Sequence, residues 1–199
     1  MIVLDIETTG LNPKKHSVIE VAAIEFDNPQ NVFNEICRKW PGAEIDQKAL
    51  DINGFSPEEI TNPAILSQKE LLMRFNDWLN ATGDRTIAGH NIAFDISFLN
   101  ESCKRFNLSY DYGKRTVDQH SLVYSHFLKR KIKPPLKDGV SNLNSDFIMS
   151  YVGIPAEPKP HRAINGARFE MEALSRLIHG SGIFDEFSAY PLPDFLKSN

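Results

Sequence analysis

Hydrophobic and polar residues alternate in three stretches near the start of the chain. Met1 to Glu7, Ser17 to Phe26 and Val32 to Arg38 carry β-branched residues at that two-residue period, and turn-rich segments separate them, so they predict three antiparallel strands. The period then lengthens. Ile65 to Leu79 repeats its apolar positions at helical spacing, Arg85 to Gly89 reads as a short strand, and Ala93 to Phe106 is helical again. Thr116 to Asp118 reads as the end of another strand, and Gln119 to Leu128, Leu143 to Val152 and Arg162 to His179 as helices. Gly180 stands where a left-handed residue closes the last of them. This order predicts an α/β chain, a mixed sheet flanked by helices, with one domain over residues 1–180 and a C-terminal extension over 181–199. The extension, with Pro191 and Pro193, has no period; it reads either as a packed addition or as a segment that docks onto another protein.

Composition narrows the class. With 199 residues, 41% apolar and 24% charged, the chain is long enough for one core and is not disordered. No apolar run approaches the roughly 18 residues of a membrane span, and a strand-like start in place of a leader predicts a soluble, unexported protein without membrane contact. The two cysteines, Cys37 and Cys103, lie far apart in unrelated contexts, which fits neither a disulfide framework nor a zinc cluster and predicts a cytoplasmic setting. The formal charge of -4 excludes a broadly basic nucleic-acid coat. It hides one asymmetry: Lys129, Arg130, Lys131, Lys133 and Lys137 place five positive charges and no acid in nine residues. That segment is either a solvated loop or a track for a phosphate backbone, with Lys129, Arg130 and Lys131 as candidate substrate contacts.

The first strand carries the chemistry. Alternation puts Ile2, Leu4 and Ile6 on one face and Val3, Asp5 and Glu7 on the other, so two acids project side by side at the strand's carboxyl end, where α/β sheets bind ligands. Paired carboxylates repel unless a cation lies between them, and hard divalent ions prefer such oxygen ligands. The plain alternative is a solvated strand end. A second acid-bearing segment, Ala88-Gly89-His90-Asn91-Ile92-Ala93-Phe94-Asp95, runs from a strand into a helix. Ile92, Ile96, Leu99 and Cys103 form that helix's buried stripe and Asp95 lies about 70° from its centre, at the edge of the core. A carboxylate there needs a cation, a basic partner or backbone donors, and an ordinary acid in the helix's first turn is the alternative.

The segments Leu4 to Leu11, Gly89 to Asp95 with Phe98-Leu99, and His161-Arg162-Ala163 resemble the three exonuclease motifs of the DnaQ-like, or DEDDh, superfamily, which includes proofreading subunits, ribonuclease T and oligoribonuclease. The resemblance runs in order from Ile2 to about Ile178. It implies a ribonuclease H-like fold with a mixed five-stranded sheet, and removal of nucleotides from the 3′ end of DNA or RNA with two Mg²⁺ or Mn²⁺ ions. By it Asp5, Glu7 and Asp95 are metal ligands, His161 is the general base, and Thr8, Leu11, His90, Asn91 and Phe94 contact the substrate, Leu11 as a wedge between the terminal bases. Two-metal chemistry at phosphorus and a histidine that takes a proton from water fit these residue types. A polymerase partner, bound through the C-terminal tail, is a further implication.

The pattern departs at one position. Where the family carries its last aspartate, five residues after the histidine, this chain has Gly166. On a helical wheel with Gly166 at zero, Glu170 falls near +40°, inside the apolar stripe of Ala163, Ala167, Ala173, Leu174 and Leu177, while Arg168, Glu172 and Arg176 fall on the opposite arc. Side chains lean toward the helix N-terminus and glutamate is one methylene longer than aspartate, so Glu170 is expected to supply the missing catalytic and metal-binding carboxylate. Glu172 is expected to be an ordinary polar-face residue. Two other readings stand beside the exonuclease: a module that has lost catalysis and binds nucleic-acid ends or a protein, and a phosphodiesterase acting on smaller nucleotides. The sequence contains no phosphate-binding G-x-x-x-x-G-K loop, no G-x-S-x-G elbow and no zinc spacing.

Overall fold

The computed structural model describes residues 1–113 and 115–197. Strands β1 (Ile2–Thr8), β2 (Val18–Glu25), β3 (Asn28–Ile36), β4 (Ile87–Gly89) and β5 (Thr116–Asp118) form one five-stranded sheet in the order β3-β2-β1-β4-β5. The first three are antiparallel, and β4 and β5 join in parallel, as strand-helix-strand connections require. The helices are α1 (Gln47–Asn53), α2 (Gln68–Asn80), α3 (Ala93–Arg105), α4 (Gln119–Lys129), α5 (Ser145–Tyr151) and α6 (Ala163–His179). Between α4 and α5 stands a small hairpin, β6 (Leu136–Lys137) with β7 (Val140–Ser141).

Alternation along β1 sorts its neighbours. Ile2, Leu4 and Ile6 enter one core with Leu71, Leu72 and Phe75 of α2 and Phe98, Leu99 and Cys103 of α3. Val3, on the other face, packs with Ala22 and Ala88 beneath Ala163, Ala167, Met171 and Leu174 of α6. Small residues at the start of α6 let that helix lie close to the sheet, and this brings it within reach of the acids of β1. Gly180 closes α6 with φ 65°.

Differences from the sequence reading have physical causes. β3 starts four residues before Val32; it is an edge strand, mostly half-buried or exposed, so Asn28, Pro29 and Gln30 are tolerated there. Helix α1 has one buried apolar residue, Leu50, and therefore no readable period. The tail joins the core: Phe187 and Leu196 pack with Val123, Phe127, Ile148 and Val152 of α4, α5 and the turn after α5. Phe187 and Leu196 anchor the described part of the extension, most of whose other residues are exposed; Ser198 and Asn199 lie outside the described residues.

Glu172 corrects an expectation. It is fully buried and so is Arg176, the two joined at 2.6 Å. The other Glu172 oxygen accepts the N–H groups of Ile183 and Phe184, and the Arg176 guanidinium donates to the carbonyls of Val152, Phe187 and Tyr190. The wheel's polar arc is buried because the tail folds back across it.

Candidate active site

Asp5, Glu7, Asp95, Glu170 and His161 line one pocket of about 250 Å³, with His90, Asn91 and Phe94 at its edges. They arrive from one strand, two helices and a loop. Asp5 and Glu7 come from the carboxyl half of β1, on the face toward α6. Asp95 lies in the first turn of α3, buried behind the tight turn at Asn91, whose φ is 52°. Glu170 projects from the second turn of α6.

Two glycines explain how α6 and β4 fit round these acids. A Cβ on Gly166 would stand 2.0 Å from Oδ2 of Asp5, so the position is occupied by the carboxylate of β1 and no side chain fits there. A Cβ on Gly89 would stand 2.9 Å from Oε2 of Glu170 and 2.9 Å from the Leu4 carbonyl. Glu170 thus reaches past the position Gly166 leaves bare and ends against β4. Its Oε2 is buried without a hydrogen-bond partner.

His161 is held on the opposite wall. Its backbone N–H donates to the Ile52 carbonyl at 2.9 Å, and its Nδ1 lies 3.4 Å from Glu157 Oε2. Glu157 also accepts the Arg162 N–H. The start of α6 is fixed by Glu20, buried in β2, which accepts from the Arg162 guanidinium at 3.0 Å and from the Ala163 N–H at 3.1 Å. The Arg162 guanidinium lies 4.1 Å over the Phe55 ring. Neither Glu157 nor Glu20 was singled out from sequence. Glu157 stands four residues before His161 in a Pro-rich loop, a spacing that would have suggested it.

Beside the pocket, sharing Ile6, Glu7 and Phe94 with it, lies a mostly apolar cavity of about 360 Å³ bounded by Thr8, Leu11, Ala49, Ile52 and Asn53. Leu11 is 77% exposed at its lip, a large apolar side chain with little to pack against. Lys129, Arg130 and Lys131 are not brought to the pocket or to this cavity. They lie at the far end of α4, about 16 Å along the helix from Asp118. Arg130 is engaged there, 3.0 Å from the Tyr151 hydroxyl and 3.9 Å over the Phe195 ring.

The acids fit a hard divalent cation. Burial pushes the carboxyls of Asp5, Asp95 and Glu170 well above the usual carboxylate range, and their mutual repulsion adds to it: Glu170 acts on Asp5, Asp95 on Glu170, and Glu7 on Asp95. Glu7 is pushed up to about 8 by burial and by Glu20 and Glu157. An all-oxygen set and an orphaned Glu170 oxygen are what a cation would satisfy. Among the described residues no group of three or more His, Cys, Asp or Glu side chains is already arranged to hold a metal ion.

These shifts carry a prediction. A carboxyl raised in the folded state binds more protons folded than unfolded, so stability falls as pH rises from about 4, where the unfolded chain ionises, to about 8, the folded value of Glu7. The chelated protein is expected to melt at a lower temperature at pH 8 than at pH 5.5. Mg²⁺ or Mn²⁺ at a hundredfold excess over Kd adds about 2.7 kcal/mol, roughly 5–10 °C in Tm for this size, with the larger gain at pH 8. Equal melting at both pH values, unmoved by either ion, would count against a cation site.

A ribonuclease H-like sheet with a cluster of acids at the end of its central strand defines a class of phosphodiester-cleaving proteins. The chain belongs to the RNase T exonuclease family, whose pattern it matches over residues 2–174. It is similar to the PolC-type DNA polymerase III of Thermotoga maritima, 28% identical over 177 residues that make up 89% of this chain and 12% of that protein. It is 34% identical over 132 residues to the DNA polymerase III subunit epsilon of Rickettsia typhi, across 63% of this chain and 55% of that one. In fold it is similar to the nuclease domain of 3'hExo, a DEDDh family member solved bound to rAMP, with a TM-score of 0.70, 14% identity, and 97% and 95% of the two chains covered.

Proposed function

We propose that this chain is a metal-dependent 3′-to-5′ exonuclease that hydrolyses the terminal phosphodiester of DNA or RNA and releases nucleoside monophosphates. The observation that carries the reading is the convergence of Asp5, Glu7, Asp95, Glu170 and His161 in one pocket beside an apolar cavity. In this reading the four carboxylates hold two divalent ions, Mg²⁺ or Mn²⁺. When bound, such ions supply the Lewis acidity that activates water and stabilises the leaving oxygen of an in-line displacement.

The chain's own residues do the rest. Glu157 faces Nδ1 of His161, which leaves Nε2 to accept the proton of the attacking water. Phe94, Ile52 and the exposed Leu11 offer apolar surface to the terminal base, Leu11 separating it from the next. The alternative of a module without catalysis was motivated by the absent acid at Gly166, and Glu170 in the pocket supports the enzyme. Polymerase III relatives support a polymerase partner. Two buried free cysteines and the lack, among the described residues, of any helix long and apolar enough to cross a membrane support the cytoplasm as the setting.

Digestion of 5′-labelled single-stranded oligonucleotides is the test. With Mg²⁺ or Mn²⁺ the label is expected to move down a ladder one nucleotide at a time, and chelation is expected to stop it. Early release of a labelled mononucleotide would show the opposite polarity and overturn the reading, and so would the absence of any shortening with either ion.

A further inference from the structure

On the side of the carboxylate pocket away from the apolar cavity lies a third cavity, of about 420 Å³, that shares His90 and Asn91 with it. Its other walls are mostly polar: His120 and Ser121 from α4, and Ser141, Asn142 and Asn144 with Leu143 from the base of the hairpin and the segment that follows it. Asp118 is the acid on this wall, and its oxygens are taken up by the N–H groups of Ile92 and His120. Nδ1 of His90 is buried there without a partner. The three cavities therefore adjoin in a row, apolar, acidic and polar.

The hairpin that closes the polar cavity is built to stand out from the surface. Asp138 and Gly139 both take positive φ, 51° and 82°, the two-residue turn that suits a tight ribbon. Ser141 is tied to His120 Nε2 at 2.9 Å, which fixes the ribbon's base. Leu136 pairs with Ser141 and shares its face, extending the cavity wall outward at 65% exposure; Val140, paired with Lys137 on the other face, is 68% exposed. Two large apolar side chains thus stand mostly exposed on a ribbon flanked by exposed Lys133 and carrying exposed Lys137. Asp138 in the turn offsets part of that charge.

Resting on the exonuclease reading, we propose that the polar cavity and this hairpin hold the single-stranded polynucleotide upstream of the scissile bond. The terminal nucleotide occupies the apolar side, so the strand must leave on the other. Neutral donors and acceptors line its exit, Leu136 on the cavity's face of the ribbon meets a base face, which is open only in a single strand, and the exposed Lys133 and Lys137 attract its phosphates. The basic segment read from sequence thus divides: Lys133 and Lys137 serve the strand, and Arg130 serves the tail.

The test compares the wild type with Leu136→Ser and with Lys133→Gln/Lys137→Gln. Binding of 5′-labelled (dT)15 and (rU)15 is followed by anisotropy in Ca²⁺ across a salt series, and hydrolysis of the p-nitrophenyl ester of thymidine 5′-monophosphate, a probe with no upstream strand, is measured alongside. Both variants are expected to bind the two oligonucleotides five- to twentyfold more weakly. The lysine variant is expected to lose about 1.4 from the log–log salt slope, two contacts at about 0.7 each. Ester turnover is expected to stay at the wild-type value, which also shows that the variants fold. Unchanged affinity and slope would overturn the hairpin's role. Failure of the wild type to hydrolyse the ester or any oligonucleotide would overturn the exonuclease reading instead, and the anisotropy would still decide the hairpin.

Discussion

Glu170→Gln is expected to lower metal-dependent hydrolysis by roughly 10³-fold, the equivalent of about 4 kcal/mol of lost transition-state stabilisation. The carboxylate is 7% exposed, ends against Gly89 at the tip of β4, and has one oxygen with no partner. A glutamine fits the same space but offers only a neutral amide oxygen, a much weaker ligand for a cation than a carboxylate. Stability is expected to rise slightly without metal, because one of four repelling charges is gone. Glu186→Gln is the matched control, an exposed carboxylate bonded to Arg168 at 2.9 Å, and its rate is expected to stay within twofold. Gly166→Ala tests the same geometry from the other side: the new Cβ would displace the Asp5 carboxylate, so activity is expected to fall further than stability. Steady-state rates and urea midpoints of the three variants check this, and full activity in Glu170→Gln would refute the replacement of the absent aspartate.

Glu172→Gln is expected to cost about 3–5 kcal/mol of stability by leaving the Arg176 guanidinium buried without its counter-charge. The ion pair is closed on both sides, Glu172 toward Ile183 and Phe184 and Arg176 toward three carbonyls, so losing it loosens residues 183–190 together. Molecules that remain folded are expected to turn over substrate normally, since Glu172 does not line the carboxylate pocket. Two acids two residues apart on one helix therefore fail differently: Glu170 through rate, Glu172 through stability. Urea denaturation with activity normalised to folded protein separates them, and an unchanged midpoint for Glu172→Gln would show that the pair contributes nothing net.

These two residues also mark how far sequence reading reaches. The alternation of β1 placed Asp5 and Glu7 on the face opposite Ile2, Leu4 and Ile6, and the stripe of α3 placed Asp95 at the core's edge, because strand alternation and helical periodicity are local properties of the sequence. The same wheel put Glu170 among apolar neighbours. It misread Glu172 because α6 is buried on two sides, by the sheet and by a tail whose prolines and short turns have no period. Helix α1 was invisible for want of a repeating apolar face, yet its Asn53 side chain donates to the Thr8 carbonyl and its Ile52 carbonyl holds His161. Glu20 depends on contacts with a segment far away in sequence and the hairpin carries exposed apolar residues, and local spacing carries little information about either; Glu157, four residues before His161, was within reach of local spacing.

Crystals grown with Mn²⁺ and a nucleoside 5′-monophosphate, measured at the manganese absorption edge, test the central claim most directly. The anomalous map is predicted to show peaks enclosed by the carboxylates of Asp5, Glu7, Asp95 and Glu170, with the phosphate toward His161. A map with no peak in that pocket, or with peaks whose ligands leave Glu170 out, would contradict it.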